Sequence, residues 1–300
     1  GGTGNWYNGY GIVDAEVAGV ANDFGTSLVG NNFAFGVGNP DVTVTSSTAI
    51  NDGNWHHVAA TWEQSTGKMD IFVDGNHEGS ATSATNPRST PTQITIGSMQ
   101  TFSDFFNGDV DELRIWNRAL CVTEIQNNYM NELSLPQTGL VSYYKFNQGE
   151  QGNDNSTVTT LVDSSGNAHT GTLHNFALNG LTSNWFAPGA ITAIGYAPAY
   201  IAPSINITGN LTICEGQNTS LTVNGSVATY LWNNNATTAS VVVSPTTNAT
   251  YSVVAKDIDG CLSNVAVATV TVNSAPIISS QSGNVHACGA DSGIFTVSAA

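Results

Sequence analysis

The run NWHHVAATWEQSTGKMDIFVDGN, residues 54–76, decides the fold. In its first part Val58, Ala60 and Trp62 alternate with Ala59, Thr61 and Glu63; in its last part Met69, Ile71 and Val73 alternate with Lys68, Asp70 and Phe72. A strand turns successive side chains to opposite faces, so each part reads as a half-buried strand. Between them EQSTGK is a turn by composition, and Asp74-Gly75 opens a second turn into HEGSATS. The stretch is therefore predicted to be a meander of antiparallel hairpins.

The same rhythm extends outward. From about 33 to 116, short runs of Val, Ile, Phe and Trp recur between clusters of Gly, Asn, Asp and Pro, the pattern of an antiparallel sandwich or barrel. Helical periodicity supports one helix, where Thr123 and Gln126 have capping-box spacing and Ile125, Tyr129 and Leu133 fall on one side. SLPQTG after residue 133 reads as a linker, and GLVSYYKFN (139–147) starts a new strand run. Residues 187–204 carry three of the nine prolines and set the main domain boundary. Beyond it, strands such as SLTV, TYLW and VAVATVTV suit a small sandwich. PSINITGNLTICEGQNTSLTV (203–223) is similar to PIISSQSGNVHACGADSGIFTV (276–297), so a module repeats. These readings divide the chain at 1–135, 136–200, 201–275 and 276–300, all of it β-sheet in class.

Composition excludes several functions. With 22 acidic and 6 basic residues the net charge is −16, which repels phosphate backbones and anionic membranes and attracts divalent cations. Nucleic acid is thus excluded as a partner. No run of about 18 apolar residues is present, so no membrane insertion is expected in this segment. The start GGTGNWYNGY is neither a basic n-region nor a signal peptide, and the chain reads as an internal piece of a longer protein.

The motifs NWHHVAATW, DIFVDG, QITIG and FNGDVDELRIWNRALCVTEI, in that order over 54–125, resemble the concanavalin-A-like laminin-G jelly rolls of bacterial surface proteins. GLVSYYKFNQGEQG and LVDSSGNAHTGTLHNFALNGLTSNWFAPG are similar to the opening strands of such modules. Residues from 205 on resemble the Cys-bearing immunoglobulin-like repeats of large Bacteroidetes adhesins. The resemblance implies a jelly roll followed by immunoglobulin-like sandwiches. Residues 139–190 either begin a second jelly roll or complete the first in permuted order; the sequence leaves both open. Cys214 and Cys261, at the start and near the end of one such module, are expected to form a disulfide in an oxidising compartment.

For chemistry, a retaining glucanase needs two carboxylates about 5 Å apart, commonly as Glu-x-Asp-x-x-Glu, and no such pattern occurs. His56 and His57 point to opposite strand faces and cannot act together. No G-x-S-x-G turn is present. The chain is expected not to be an enzyme. Loops dense in Asp, Asn and Gly supply oxygens to hard cations, and a structural calcium is frequent in the resembled family. Asp111 and Asp163, with the backbone near Gly166, are the candidate ligands. Trp6, Tyr7 and Tyr10, in a Gly- and Asn-rich stretch, are the candidate aromatic platform for a ligand. The expected role is a non-catalytic segment of an extracellular cell-surface adhesin. Its jelly roll would bind surface glycan or protein, and its repeats would act as a stalk. The alternative is the accessory targeting region of a polysaccharide-degrading enzyme.

Overall fold

The computed structural model describes residues 4–274 except 18, 20, 181–182, 187–188, 192–195 and 198–200. The start of the second repeat, 276–300, lies outside the described residues. The chain divides into two compact units, Gly1–Ile201 and Ala202–Ala300.

The first unit opens with a single 3-10 turn, Trp6–Asn8, and strands β1 (Tyr10–Asp14), β2 (Phe24–Val29), β3 (Asn32–Val37) and β4 (Val42–Ala49). The decisive meander follows as β5 (Val58–Glu63), β6 (Lys68–Val73) and β7 (Asn76–Thr82), then β8 (Thr95–Ile96) and β9 (Leu113–Trp116). One sheet has the order β4-β3-β2-β1-β8 and a second has β5-β6-β7. Val58 pairs with Val73 and Trp62 with Met69, so the alternation seen in the sequence is the register of the hairpin. The Asp74-Gly75 turn places both residues at positive φ, 49° and 76°, the conformation a tight hairpin demands.

Ile12, Phe33, Phe35, Val37 and Val44 from the first sheet meet Met69 and Ile71 from the second, with Val58, Ala60 and Trp62 packed against them. The sheets pack face to face. Trp55 is 42% exposed, because β5 begins only at Val58 and Trp55 lies on the preceding loop. Leu113 joins a separate cluster with Tyr144, Leu161 and Trp185.

The rest of the unit comprises helix α1 (Val122–Asn128), β10 (Glu132–Leu133), β11 (Leu140–Tyr144), β12 (Thr160–Leu161), β13 (Gly171–Thr172) and β14 (Tyr196–Ala197). The helix starts before the expected Thr123 cap. Its N-cap is Cys121, whose N–H donates to Glu124 Oε2 at 3.0 Å. That acceptor closes the first turn, and Arg118 holds the same carboxylate at 2.5 Å. β11 pairs antiparallel with β9, so residues 140–144 add a strand to the unit that 113–116 belongs to. Tyr144, Leu161 and Trp185 then pack with Ile96 and Leu113. The 139–190 segment thereby joins the first unit.

In the second unit, β15 (Asn206–Thr208), β17 (Thr219–Asn224) and β19 (Ser240–Val243) form one sheet. β16 (Thr212–Cys214), β21 (Ala266–Asn273), β20 (Ala249–Lys256) and β18 (Thr229–Trp232) form the other. Ala266, Ala268 and Val270 point inward while Val267 and Thr269 point out, and Leu221 and Trp232 fill the middle. The Trp232 Nε1–H is satisfied by Thr238 O at 2.9 Å.

The expected Cys214–Cys261 bridge is not formed. Cys214 is a free, exposed thiol, whereas Cys261, like Cys121, is disulfide-bonded. The register explains it: Cys214 pairs with Asn273 at the far end of β21, and Cys261 precedes the opposite end, Ala266. At about 3.3 Å per residue the strand holds them roughly 20 Å apart, beyond the roughly 7 Å limit between bridged Cα atoms.

Candidate functional site

Asp163 begins the D-S-S-G-N turn after β12. Its Oδ1 accepts from the amides of Tyr143 and Ser165, both at 2.9 Å; its Oδ2 accepts from the Ser165 hydroxyl at 2.8 Å and the His169 amide at 2.9 Å. Burial pushes its carboxyl up, but these donors outweigh burial and leave it below its ordinary value. Gly166 supplies the left-handed φ of 92°, and Asn167 Nδ2 donates to the carbonyls of Leu140 and Val141. The motif is a clamp on β11. Asp111 is similar: it accepts from the Ala190 amide at 2.8 Å and the Glu112 amide at 3.0 Å, and burial raises its carboxyl.

Calcium takes six to eight oxygens, and a carboxylate with its four lone-pair positions filled by protein donors has none to give. Asp163 does not fit the ligand role, and the oxygens of Asp111 likewise face backbone amides. Among the described residues no three His, Cys, Asp or Glu gather as metal ligands. Asp163→Ala is expected to lose about 3 kcal/mol from the unpaired amides it leaves. In the wild type, EDTA is expected to leave the melting of the first unit unchanged. A calcium-dependent shift in differential scanning calorimetry would restore the metal role.

Beside Asp111, Glu112 lies in a buried polar network. Arg114 Nη2 donates to Glu112 Oε2 at 2.8 Å, with side chains only 9% and 8% exposed, and the Tyr143 hydroxyl donates to the same oxygen. Arg114 also donates to Asn128 O at 2.8 Å and Asn131 O at 2.5 Å, holding the end of α1. Burial raises the carboxyl of Glu112 against the pull of Tyr143 and Arg114.

The two histidines have opposite environments. His56 Nδ1 lies 2.8 Å from Asp74 Oδ2 and Nε2 lies 3.2 Å from Asp52 Oδ1. Carboxylates only accept, so both ring nitrogens carry protons, and the Asp74 hydrogen bond leads in raising this pKa. His57 packs edge-on to Tyr129 with its Nδ1 buried and unpartnered, and burial lowers its pKa to about 4. The stability contributed by charged His56 is complete below the ordinary value of about 6.5 and is lost as pH rises through the raised folded value. His57 acts in reverse: the unfolded chain binds its proton more readily, so stability falls as pH drops from about 6.5 toward 4. Melting temperatures across pH should show the alkaline-side loss flattened in His56→Gln and the acid-side loss flattened in His57→Gln. Unchanged slopes in either variant would refute its assignment.

Two groupings mimic nucleophilic triads and lack the geometry. His77 Nε2 contacts both Asp70 Oδ1 at 3.0 Å and Ser80 Oγ at 2.9 Å, whereas a relay needs the two partners on different ring nitrogens. His169 Nδ1 points at the Val141 carbonyl at 3.0 Å, so it donates and cannot take a proton from Ser142.

The expected aromatic platform is partly corrected. Trp6 is 1% exposed and lies over the face of the first sheet opposite the main core, where Gly25 and Gly36 pair. A Cβ at Gly36 would stand 1.7 Å from Trp6 Cδ1, and one at Gly25 would stand 2.6 Å from Cζ3. Tyr7 packs edge-on against Trp6 and its hydroxyl accepts from Asn5 Nδ2 at 2.8 Å. Tyr7 is half-buried and Tyr10, 37% exposed, lies at the surface. Beside it, Gly11 N–H donates to Asp104 O at 3.0 Å, joining β1 to a loop that exposes Phe102 (44%) and Phe105 (56%). The exposed His174, from the far half of the unit, sets its ring 5.1 Å from that of Phe102. The sequence reading missed Phe102, Phe105 and His174. Its available signal was the polar setting of TFSDFFNGD, where aromatics without alternation have no strand face to fill.

Residues 6–126 match the Laminin_G_3 family model, described as the concanavalin A-like lectin/glucanases superfamily. Over residues 6–126 the first unit is therefore similar to the laminin-G-like, concanavalin A-like jelly rolls. Neuronal pentraxin-1 of Homo sapiens is 30% identical over 87 residues, 26% of this chain and 20% of that protein. The Sushi, von Willebrand factor type A, EGF and pentraxin domain-containing protein 1 of Rattus norvegicus is 25% identical over 93 residues, 28% of this chain and 3% of that protein. The chain thus spans a fifth or less of these relatives. Among solved structures, a Bacteroides ovatus protein assigned to carbohydrate binding is 20% identical, covering 55% of this chain and 47% of its own, with a TM-score of 0.42. A heptameric pentraxin of Limulus polyphemus is 15% identical, covering 55% and 76%, with a TM-score of 0.34. Among the described residues no helix is long and apolar enough to cross a membrane.

Proposed function

We propose that the first unit is a non-catalytic glycan-binding module of an extracellular adhesin, and that the second is an immunoglobulin-like element of its stalk. One observation carries this reading: aromatic rings stand exposed on a fixed loop, while Asp111, Glu112 and Asp163 are tied into hydrogen bonds that hold the fold. Large exposed apolar side chains grouped at one place mark interaction sites. The match of residues 6–126 to a superfamily named for lectins and glucanases supports a sugar ligand, and the geometry of the carboxylates favours the lectin side of that name. Disulfide-bonded cysteines suit an oxidising, extracellular setting. The test is a glycan array probed with the full chain, paired with a reducing-end assay on every glycan bound. Binding without release of reducing ends supports the reading. Hydrolysis, or an array with no bound glycan, overturns it.

A further inference from the structure

We propose that loop 99–106, together with His174 and Asn175, is a preformed platform for a neutral saccharide. The inference rests on the glycan-binding reading above and names its site and ligand class.

The loop is held from both sides. Met99 N–H donates to Ser103 O at 3.1 Å and Phe102 N–H to Met99 O at 2.9 Å, closing the loop on itself. Gln100 N–H donates to Asp14 Oδ2 at 2.6 Å, Gly11 N–H to Asp104 O at 3.0 Å, and Phe106 N–H to Gly97 O at 2.9 Å. Phe106 packs into the main core. Yet Phe102, Asp104 and Asn175, none of them glycine, adopt left-handed φ of 54°, 47° and 52°. Asp and Asn enter this region readily, whereas Phe102 does so at a cost that the surrounding contacts must hold. In this loop Phe102 and Phe105 are exposed, while Phe106 packs against the core.

The chemistry of the rim selects the ligand. Phenyl and imidazole rings offer flat apolar faces to the C–H face of a sugar ring. Next to them Thr101 Oγ1 lies 2.8 Å from Ser103 Oγ, which donates to Asp104 Oδ2 at 3.0 Å, so hydroxyls and a carboxylate stand where sugar hydroxyls need partners. The two segments that build the rim carry no cation: Lys and Arg are absent from 89–113 and from 146–255. An anionic sugar would meet Asp104 with no Lys or Arg from either segment as counter-charge, which disfavours uronate and sialylated ligands.

The experiment uses the full chain on an array of neutral hexose and N-acetylhexosamine oligosaccharides alongside uronate-containing and sialylated ones. Calorimetric titration then follows with the strongest neutral binder. The expected result is binding to neutral glycans, weakened about tenfold or more in the double variant Phe102→Ala/Phe105→Ala. A weaker loss is expected in His174→Ala, with melting temperatures of both variants within about one degree of wild type, as these side chains are exposed. If the double variant binds the same glycan as the wild type does, the site lies elsewhere and the glycan-binding reading stands. Preference for the acidic glycans overturns the ligand class. Absence of binding to every glycan overturns both.

Discussion

Trp6→Ala is expected to destabilise the first unit by about 3 to 5 kcal/mol, the range for emptying a large buried aromatic position. The indole rests on a hollow made by Gly25 and Gly36, paired across β2 and β3, with Ser27 Oγ donating to Trp6 O at 2.6 Å. Nothing small can replace it, since the backbones beneath carry no side chains to collapse into the space. Gly36→Ala should be comparably harmful, because its new methyl would stand 1.7 Å from the Trp6 ring. The double variant should then cost less than the sum of the two, as the methyl occupies space the indole has left. Chemical denaturation of the four proteins measures this directly. Strict additivity would mean that the ring does not rest on Gly36. The transition of the second unit should not move in any of them.

Glu112→Ala is expected to cost about 3 to 5 kcal/mol by leaving a buried guanidinium without its counter-charge. Arg114 is 9% exposed, and its remaining acceptors, Asn128 O and Asn131 O, are neutral carbonyls. The Tyr143 hydroxyl would lose its acceptor as well. Replacing both charges, Glu112→Met with Arg114→Met, should recover part of the loss, because desolvation of the pair opposes its attraction. Recovery will be incomplete, since Arg114 also fixes the end of α1. The measurement is a double-mutant cycle in urea. A single variant within about 0.5 kcal/mol of wild type would show that water reaches the guanidinium, contrary to its burial.

The residues differ in how openly the sequence declared their roles. Val58, Ala60 and Trp62 facing Met69, Ile71 and Val73 were legible because alternation has a period of two and depends only on adjacent residues. The Asp74-Gly75 turn was legible for the same reason: both residues tolerate the positive φ that the turn requires. The cap of α1 was misplaced because a Cys can start a helix when a Glu three residues on accepts from its amide, a pairing that Thr123 and Gln126 imitate in composition. Asp163 was found as a chemically distinctive residue, but its use was not. Oxygen-rich turns that bind calcium and turns that bind their own amides share one vocabulary.

The sequence by itself determined the all-β class and the strand rhythm, since each follows from local alternation. Only the tertiary structure decided which aromatic is core and which is surface. Trp6 vanished beneath a pair of glycines 11 residues apart in sequence but opposite each other in register, while Phe102 and Phe105 stayed in solvent beside a histidine some seventy residues further on. It decided likewise that residues 140–144 pair with 113–116, and that Cys214 and Cys261 stand at opposite ends of one strand. Strand pairing joins residues far apart in the chain, and its free energy comes from faces that exist only after both partners are in place. A single chain read residue by residue carries the faces but not their partners.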